Sequence, residues 1–321
     1  MNEALFHDRP AMHASILRYF AEVARSGSIR KASEELHVAT SALSRQIKKL
    51  EDELGTPLFE RFSDGLRLTH AGEIVLRHAT ETLRHFDLMR SEIGEMRGKR
   101  TGRVHIACLD SSGIQFLPEF VRRFHHQHPA IDFRIRTESY NTIFKLLAEG
   151  DCDIGITFDL ARPPDIDVVT GVRMPLRAIV SSGHPLARQA SVTLQECAQF
   201  RLLLQLDHEV MSSIIARELG SLDRVSRTFV ATNSQMMLKP LILSGDGIAF
   251  FTCIGLLKEL EEGSVKAVPI AGLRLSPLEM AVVTPARRQL TGATLLVAEQ
   301  LALELQRFAD RIYAVAPLEG S

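Results

Sequence analysis

The stretch LRYFAEVARSGSIRKASEELHVATSALSRQIKKLEDELGTPLFER, residues 17–61, decides how the first part of the chain folds. Leu17, Phe20, Ala21, Val23 and Ala24 fall at helical spacing within residues 15–25. Ser26-Gly27-Ser28 then breaks the pattern. Gly27 suits the left-handed position that ends a helix, and Ser28 suits the cap of the next one, over IRKASEELHV. His37-Val38-Ala39 leaves room only for a tight turn. Thr40 is placed to cap a third helix that stops at Gly55.

A short helix, a tight turn and a longer, more basic helix describe a helix-turn-helix. On the third helix Ala42, Leu43, Ile47, Leu50 and Leu54 recur at steps of three and four and face a small core. Thr40, Ser41, Ser44, Arg45 and Lys48 fall on the other side. Short hydroxyls followed by long cations suit a helix lying in a major groove, where small groups approach base edges and cations reach bases or phosphates. Arg30 and Lys31 on the preceding helix add to the same basic region. Beyond Leu58-Phe59, Ser63-Asp64-Gly65 is a hairpin turn signal and Leu66–Thr69 alternates as a strand. Such a hairpin is a wing, from which Arg61 and Arg67 reach the backbone or the minor groove. Periodicity alone also allows a three-helix core with a merely solvated basic face.

Residues 17–76, through the quoted stretch and LRLTHAGEIVL, resemble the DNA-binding domain of the LysR-type transcriptional regulators. The resemblance implies that the start of the third helix, at Thr40, Ser41, Ser44 and Arg45, reads an operator. Thr40 and Ser41 stand where family members often carry glutamine and proline, and Asp64 stands where the wing often holds a base.

The whole chain has 321 residues, 24% of them charged, with a net charge of −1. That balance excludes DNA binding by bulk charge but not by a local patch. Residues 25–49 hold six basic side chains against Glu34 and Glu35. No apolar run is long enough for a membrane span, and the N-terminal segment lacks the apolar core of a signal peptide, so a cytoplasmic protein is expected. Residues 1–13 read as a flexible extension, and residues 14–71 as the winged head. Four dispersed cysteines, Cys108, Cys152, Cys197 and Cys253, read as reduced, buried thiols, with Cys108 and Cys253 the pair to watch for redox chemistry.

Residues 72–97 form a linker helix. Val75, Ala79, Thr82, Phe86, Met89, Ile93 and Met96 alternate in steps of four and three, a heptad seam. Three heptads span about 30 Å at 1.5 Å per residue. The seam reads as a homodimer contact, and the resemblance implies a homotetramer built as a dimer of dimers. His78 and His85 flank it, and Arg97–Gly102 reads as a hinge.

From Gly102 the order strand, helix, strand, helix, strand (residues 103–108, 114–126, 131–136, 142–149 and 153–158) implies an α/β domain with a parallel sheet. The strings LPEFVRRFHHQHPAIDFRIR, LLAEGDCDIGIT, SSGHPLA, LILSGDGIAFF and LKELEEGSVKAVPI resemble the effector-binding domain of the same family, which is similar to two-lobed periplasmic binding proteins. The domain is placed at 102–315, with one lobe at 103–161 and 281–311 and the other at 162–280.

Ligands of such sheets bind at strand C-termini facing helix N-termini. That rule selects Ser111 and Ser112, Asn141 and Thr142, Thr157 and Phe158 at the first crossover, and Asn233 and Ser234, with Phe251 and Thr252 beside them. Hydroxyls and amides there suit an anion such as a carboxylate, and the same residues would equally serve as helix caps. His125, His126 and His128 lie on a polar helix end and read as surface, not as a metal site. No GxSxG, HExxH, Walker A or GxGxxG pattern is present, and no cofactor or enzyme activity is expected. The leading expectation is a DNA-binding regulator with a small-molecule effector in the cleft and, as the resemblance implies, contact with RNA polymerase. The alternatives are a binding protein or enzyme with a head that reads no sequence, and a regulator without an effector whose cleft Phe158 and Phe251 fill.

Overall fold

The computed structural model describes residues 12–96, 100–158, 162–206, 228–272 and 278–318. The chain divides into two compact units, Met1–Lys99 and Arg100–Ser321. Of the predicted extension, residues 1–11 lie outside the described residues, as does the 97–99 part of the hinge.

In the first unit α1 (Met12–Ser26), α2 (Ile29–Glu35) and α3 (Thr40–Leu54) enclose a small core. Phe20, Val23, Ala32, Leu43 and Leu58 are fully buried, with Ile47 and Leu50 close behind. At roughly 1.5–3 kcal/mol for each large apolar side chain, this burial holds helices too short to persist alone. Gly27 and Gly55 end α1 and α3 at φ 62° and 67°. His37, at φ 53°, turns the chain between α2 and α3. One predicted cap differs. Ala39 is the N-cap of α3 and makes no side-chain bond, while Thr40 is the first helical residue. The Thr40 hydroxyl instead lies 2.8 Å from Ser33 Oγ and ties α3 to α2.

The wing is an antiparallel hairpin of β1 (Phe59–Phe62) and β2 (Gly65–Leu68). Glu51 Oε1 on α3 accepts from the Leu58 backbone N–H at 2.8 Å and fixes where the hairpin starts. Helix α4 (His70–Met96) follows without a break. The predicted seam divides along it. Val75 packs against the head core and Ala79 is part of that core, because α1 lies against α4. These two positions therefore meet the core of their own head. Thr82 donates its hydroxyl to His78 O at 2.8 Å. Phe86 is half-buried, and Met89, Ile93 and Met96 are exposed.

The second unit begins with β3 (Gly102–Cys108), α5 (Asp110–Ile114), α6 (Phe116–Gln127), β4 (Ile131–Thr137), α7 (Tyr140–Glu149), β5 (Ile154–Phe158) and β6 (Ile166–Arg173). It continues with β7 (Arg177–Ser181), α8 (Leu194–Cys197), β8 (Leu202–Gln205), β9 (Thr228–Thr232), α9 (Gln235–Leu243), β10 (Ile248–Phe251) and α10 (Leu257–Glu261). It ends with β11 (Val265–Pro269), β12 (Glu279–Pro285) and α11 (Gly292–Val315). Among the described residues these strands make two five-stranded sheets, ordered β4-β3-β5-β12-β6 and β11-β7-β10-β8-β9. As the βαβαβ reading requires, β3 runs parallel to β4 and to β5. The chain leaves the first sheet through Met174–Leu176 and returns as β12, antiparallel to β5 and β6.

Three expectations need correcting. Residues 166–173, expected in the second lobe, form β6 of the first sheet, so Thr157 and Phe158 do not stand at the crossover. Alternation along a strand says nothing about which sheet it joins. The helix expected at 114–126 is α6, but a separate short helix, α5, precedes it, and Ser111 and Ser112 lie inside α5 and not ahead of the first helix. Helix α7 starts at Tyr140 and is capped by Ser139, whose Oγ accepts from Thr142 N at 3.4 Å and lies 2.9 Å from Thr142 Oγ1.

Candidate DNA-binding face and ligand cleft

The core pattern of α3 turns Ser41, Arg45 and Lys48 outward, with Ser44 half-exposed. Thr40 is exposed but its hydroxyl is engaged by Ser33. The cations differ in their commitments. Arg30 pairs with Glu34 at 2.9 Å and Lys48 with Asp52 at 2.9 Å. Arg67 pairs with Asp64 at 2.9 Å and lies 4.6 Å over the Phe62 ring. Asp64 therefore holds Arg67 across the hairpin turn. Lys31, Arg45 and Arg61 are exposed and make no ion pair among the described residues. Arg45 thus stands on the outer face of α3 with an uncommitted charge, and a guanidinium donates in a fork of the kind that suits a guanine edge.

In the second unit the lobes meet around α5, α9 and α10. Asp110 Oδ2 accepts from the Gln235 backbone N–H at 2.5 Å, across 125 residues of sequence. Gln115 Nε2 donates to Glu259 Oε2 at 2.9 Å, and Gln115 Oε1 accepts from Lys258 N at 3.1 Å. Lys239 Nζ lies 2.6 Å from the other Glu259 oxygen. On the far side Arg177 Nη2 donates to Pro317 O at 2.6 Å and ties the C-terminal segment to β7.

The predicted cleft residues behave unequally. Ser111 Oγ and Thr157 Oγ1 are buried with no hydrogen-bond partner. Ser112 is fully buried and donates to Leu109 O at 2.8 Å. Asn141 is exposed, and Thr142 is engaged by Ser139. Asn233 is exposed, while Ser234 is the N-cap of α9 without a side-chain bond. Phe158 and Phe251 belong to the hydrophobic core, and Thr252 is buried ahead of the 3-10 turn Cys253–Gly255. Sequence reasoning missed Gln235. It is buried to 1% exposure, and neither amide atom has a partner. A Cβ on Gly255 would lie 3.1 Å from Ser111 O and 3.2 Å from both ends of that amide, so this glycine lets the backbone close over it.

Two family models match the chain. The model of the bacterial regulatory helix-turn-helix protein of the lysR family covers residues 15–73, and that of the LysR substrate binding domain covers residues 97–306. The chain belongs to the LysR-type family of transcriptional regulators. A "Probable RuBisCO transcriptional regulator" of Emiliania huxleyi is 25% identical over 84% of this chain and 88% of its own. The transcriptional activator CmpR of a Synechocystis strain is 26% identical over 80% of this chain and 84% of its own. Full-length Pseudomonas aeruginosa OxyR shares the fold at a TM-score of 0.64 and 22% identity, covering 91% of this chain and 98% of that one. CbnR, solved with its target DNA, does so at 0.58 and 20%, covering 92% and 100%.

This LysR-type regulator keeps its cysteines out of reach. All four are free and buried. Burial pushes the Cys108 thiol up to about 11, against hydrogen bonds from Ser112 and Thr137. It pushes Cys152, Cys197 and Cys253 up to about 12. With so little thiolate, alkylation by iodoacetamide at pH 8 is expected to run about a hundredfold slower in the native protein than in urea, read by mass spectrometry. A cysteine that reacts at the unfolded rate would show that its site is open. Among the described residues no group of His, Cys, Asp or Glu is placed to hold a metal, and no helix is long and apolar enough to cross a membrane.

Proposed function

We propose that this LysR-type regulator reads its operator through Ser41, Ser44, Arg45 and Lys48 of α3, with Thr40 as a helix-start contact. Arg30, Lys31, Arg61 and Arg67 hold the phosphate backbone around them. Arg45 carries the reading, because its charge is exposed on the outer face of α3 and no described acid answers it. The effector occupies the interlobe cleft beside Ser111, Thr157 and Gln235, whose orphaned polar atoms a ligand would satisfy. Binding biases the lobes only through its different affinity for their two arrangements, typically about 1–3 kcal/mol of coupling.

The regulator acts in the cytoplasm as a homodimer or homotetramer, with RNA polymerase as the downstream partner. The exposed apolar stripe of Met89, Ile93 and Met96 on α4 supports pairing with a second copy. A two-fold protein matches a pseudo-palindromic operator.

The test is selection from sheared genomic DNA, followed by affinity measurements on the enriched site across a salt series. Arg45→Ala is expected to weaken specific binding about 5–150-fold, a loss of about 1–3 kcal/mol, while Lys145→Ala, in α7 of the second unit, leaves it unchanged. Failure of any genomic fragment to be enriched would sink the reading, and so would an Arg45→Ala protein that binds as tightly as wild type.

A further inference from the structure

We propose that the cleft of this chain takes a neutral or cationic ligand bearing hydrogen-bond donors, not a carboxylate, because Asp110 already occupies the anion position at the start of α9. The proposal rests on the reading of the cleft as the effector site and specifies what that site accepts.

Helix α9 has nine residues, and its amino end is the natural place for an anion. Ser234 at the N-cap gives it no side-chain bond. The group that does is Asp110 of the opposite lobe, through Oδ2 at 2.5 Å from Gln235 N. The chain thus supplies its own carboxylate where a ligand carboxylate would go. Lys239, one turn further along α9, is already neutralised by Glu259 at 2.6 Å. A second anion placed there would therefore meet repulsion from Asp110.

The buried orphans independently point the same way. Gln235 leaves both its Nε2 donor and its Oε1 acceptor unanswered at 1% exposure. Ser111 Oγ in the next residue after Asp110, and Thr157 Oγ1, are also unanswered. A carboxylate only accepts, so Gln235 Oε1 would stay unpaired beside it. A primary amide, a urea or an amidinium presents N–H groups to Gln235 Oε1 and to the Asp110 carboxylate. The amide and urea also offer an acceptor to Gln235 Nε2. The charge of an amidinium is complementary to that of Asp110.

The experiment follows the melting temperature of the full-length protein with acetate, acetamide and acetamidinium, and with benzoate, benzamide and benzamidinium, at equal millimolar concentration and ionic strength. The amide or amidinium of at least one size is expected to raise the melting temperature, and its carboxylate is not. Gln235→Leu, which replaces an unsatisfied buried amide with an apolar group of similar size, is expected to fold and to lose the response. Asp110→Asn is expected to shift the preference toward the carboxylate by about tenfold in affinity. A carboxylate that stabilises wild type as well as its amide does, with the response lost in Gln235→Leu, would overturn the ligand class and leave the cleft reading standing. A response that survives Gln235→Leu, or none from any probe, would overturn the cleft reading and this proposal with it.

Discussion

Lys239→Met is expected to destabilise the second unit by about 3 kcal/mol, read by urea denaturation. The 2.6 Å contact of Lys239 with Glu259 is largely withdrawn from water, both side chains being mostly buried. Removing the lysine strands a carboxylate that has lost its counter-charge. Gln115 still donates to Glu259, which keeps the loss at the low end of the range for broken buried pairs. Replacing both partners, as Lys239→Met with Glu259→Leu, is expected to recover most of the stability, since the desolvation cost disappears with the charge. A single-variant loss below about 0.5 kcal/mol would mean that the pair behaves like an exposed one.

The second large effect lies in the head. Gly72→Ala places a methyl group 2.2 Å from Leu58 O and 2.9 Å from Leu68 Cδ2. Alanine favours helix by about 1 kcal/mol over glycine, so propensity alone predicts a gain. The clash reverses the sign, because its partner is backbone: Leu58 O accepts from Thr69 N at 3.0 Å and cannot retreat without breaking the join between wing and α4. Overpacking of this kind costs about 1–3 kcal/mol or more, and we expect a net loss near 2 kcal/mol. In a unit of this size that lowers the melting temperature by roughly 10 °C. The loss should appear in the head's transition and leave the second unit's transition in place. A variant that melts at or above wild type would show that the approach of α4 to the wing is looser than described.

The head was legible in the sequence because its core spacing and its breakers agree. Phe20, Leu43, Ile47 and Leu50 are buried where periodicity puts them, and Gly27 and Gly55 are left-handed where helices must end. The cap of α3 was not legible. A threonine beside a helix start looks like a cap, and only the three-dimensional position of Ser33 shows where its hydroxyl goes. The order of strands and helices in the second unit was legible, but the sheet that β6 joins was not. The partner of β6 is β12, more than a hundred residues later. Of the cleft candidates picked from the sequence, Ser111 and Thr157 keep buried hydroxyls without a partner. Asp110 and Gln235 acquire their roles by meeting across the lobes, and each alone is an ordinary polar residue at a helix start.

The placing of β12 between β5 and β6 governs how this protein is made. A ribosome releases β3, β4, β5 and β6 early, yet their sheet stays split until residues 279–285 arrive. At about 5–20 residues per second the strands facing that gap wait on the order of ten seconds with unpaired edges. A message cut short after the second lobe therefore does not yield a binding protein missing its last helix. It yields a chain with two open strand edges, which is a substrate for chaperones and proteases.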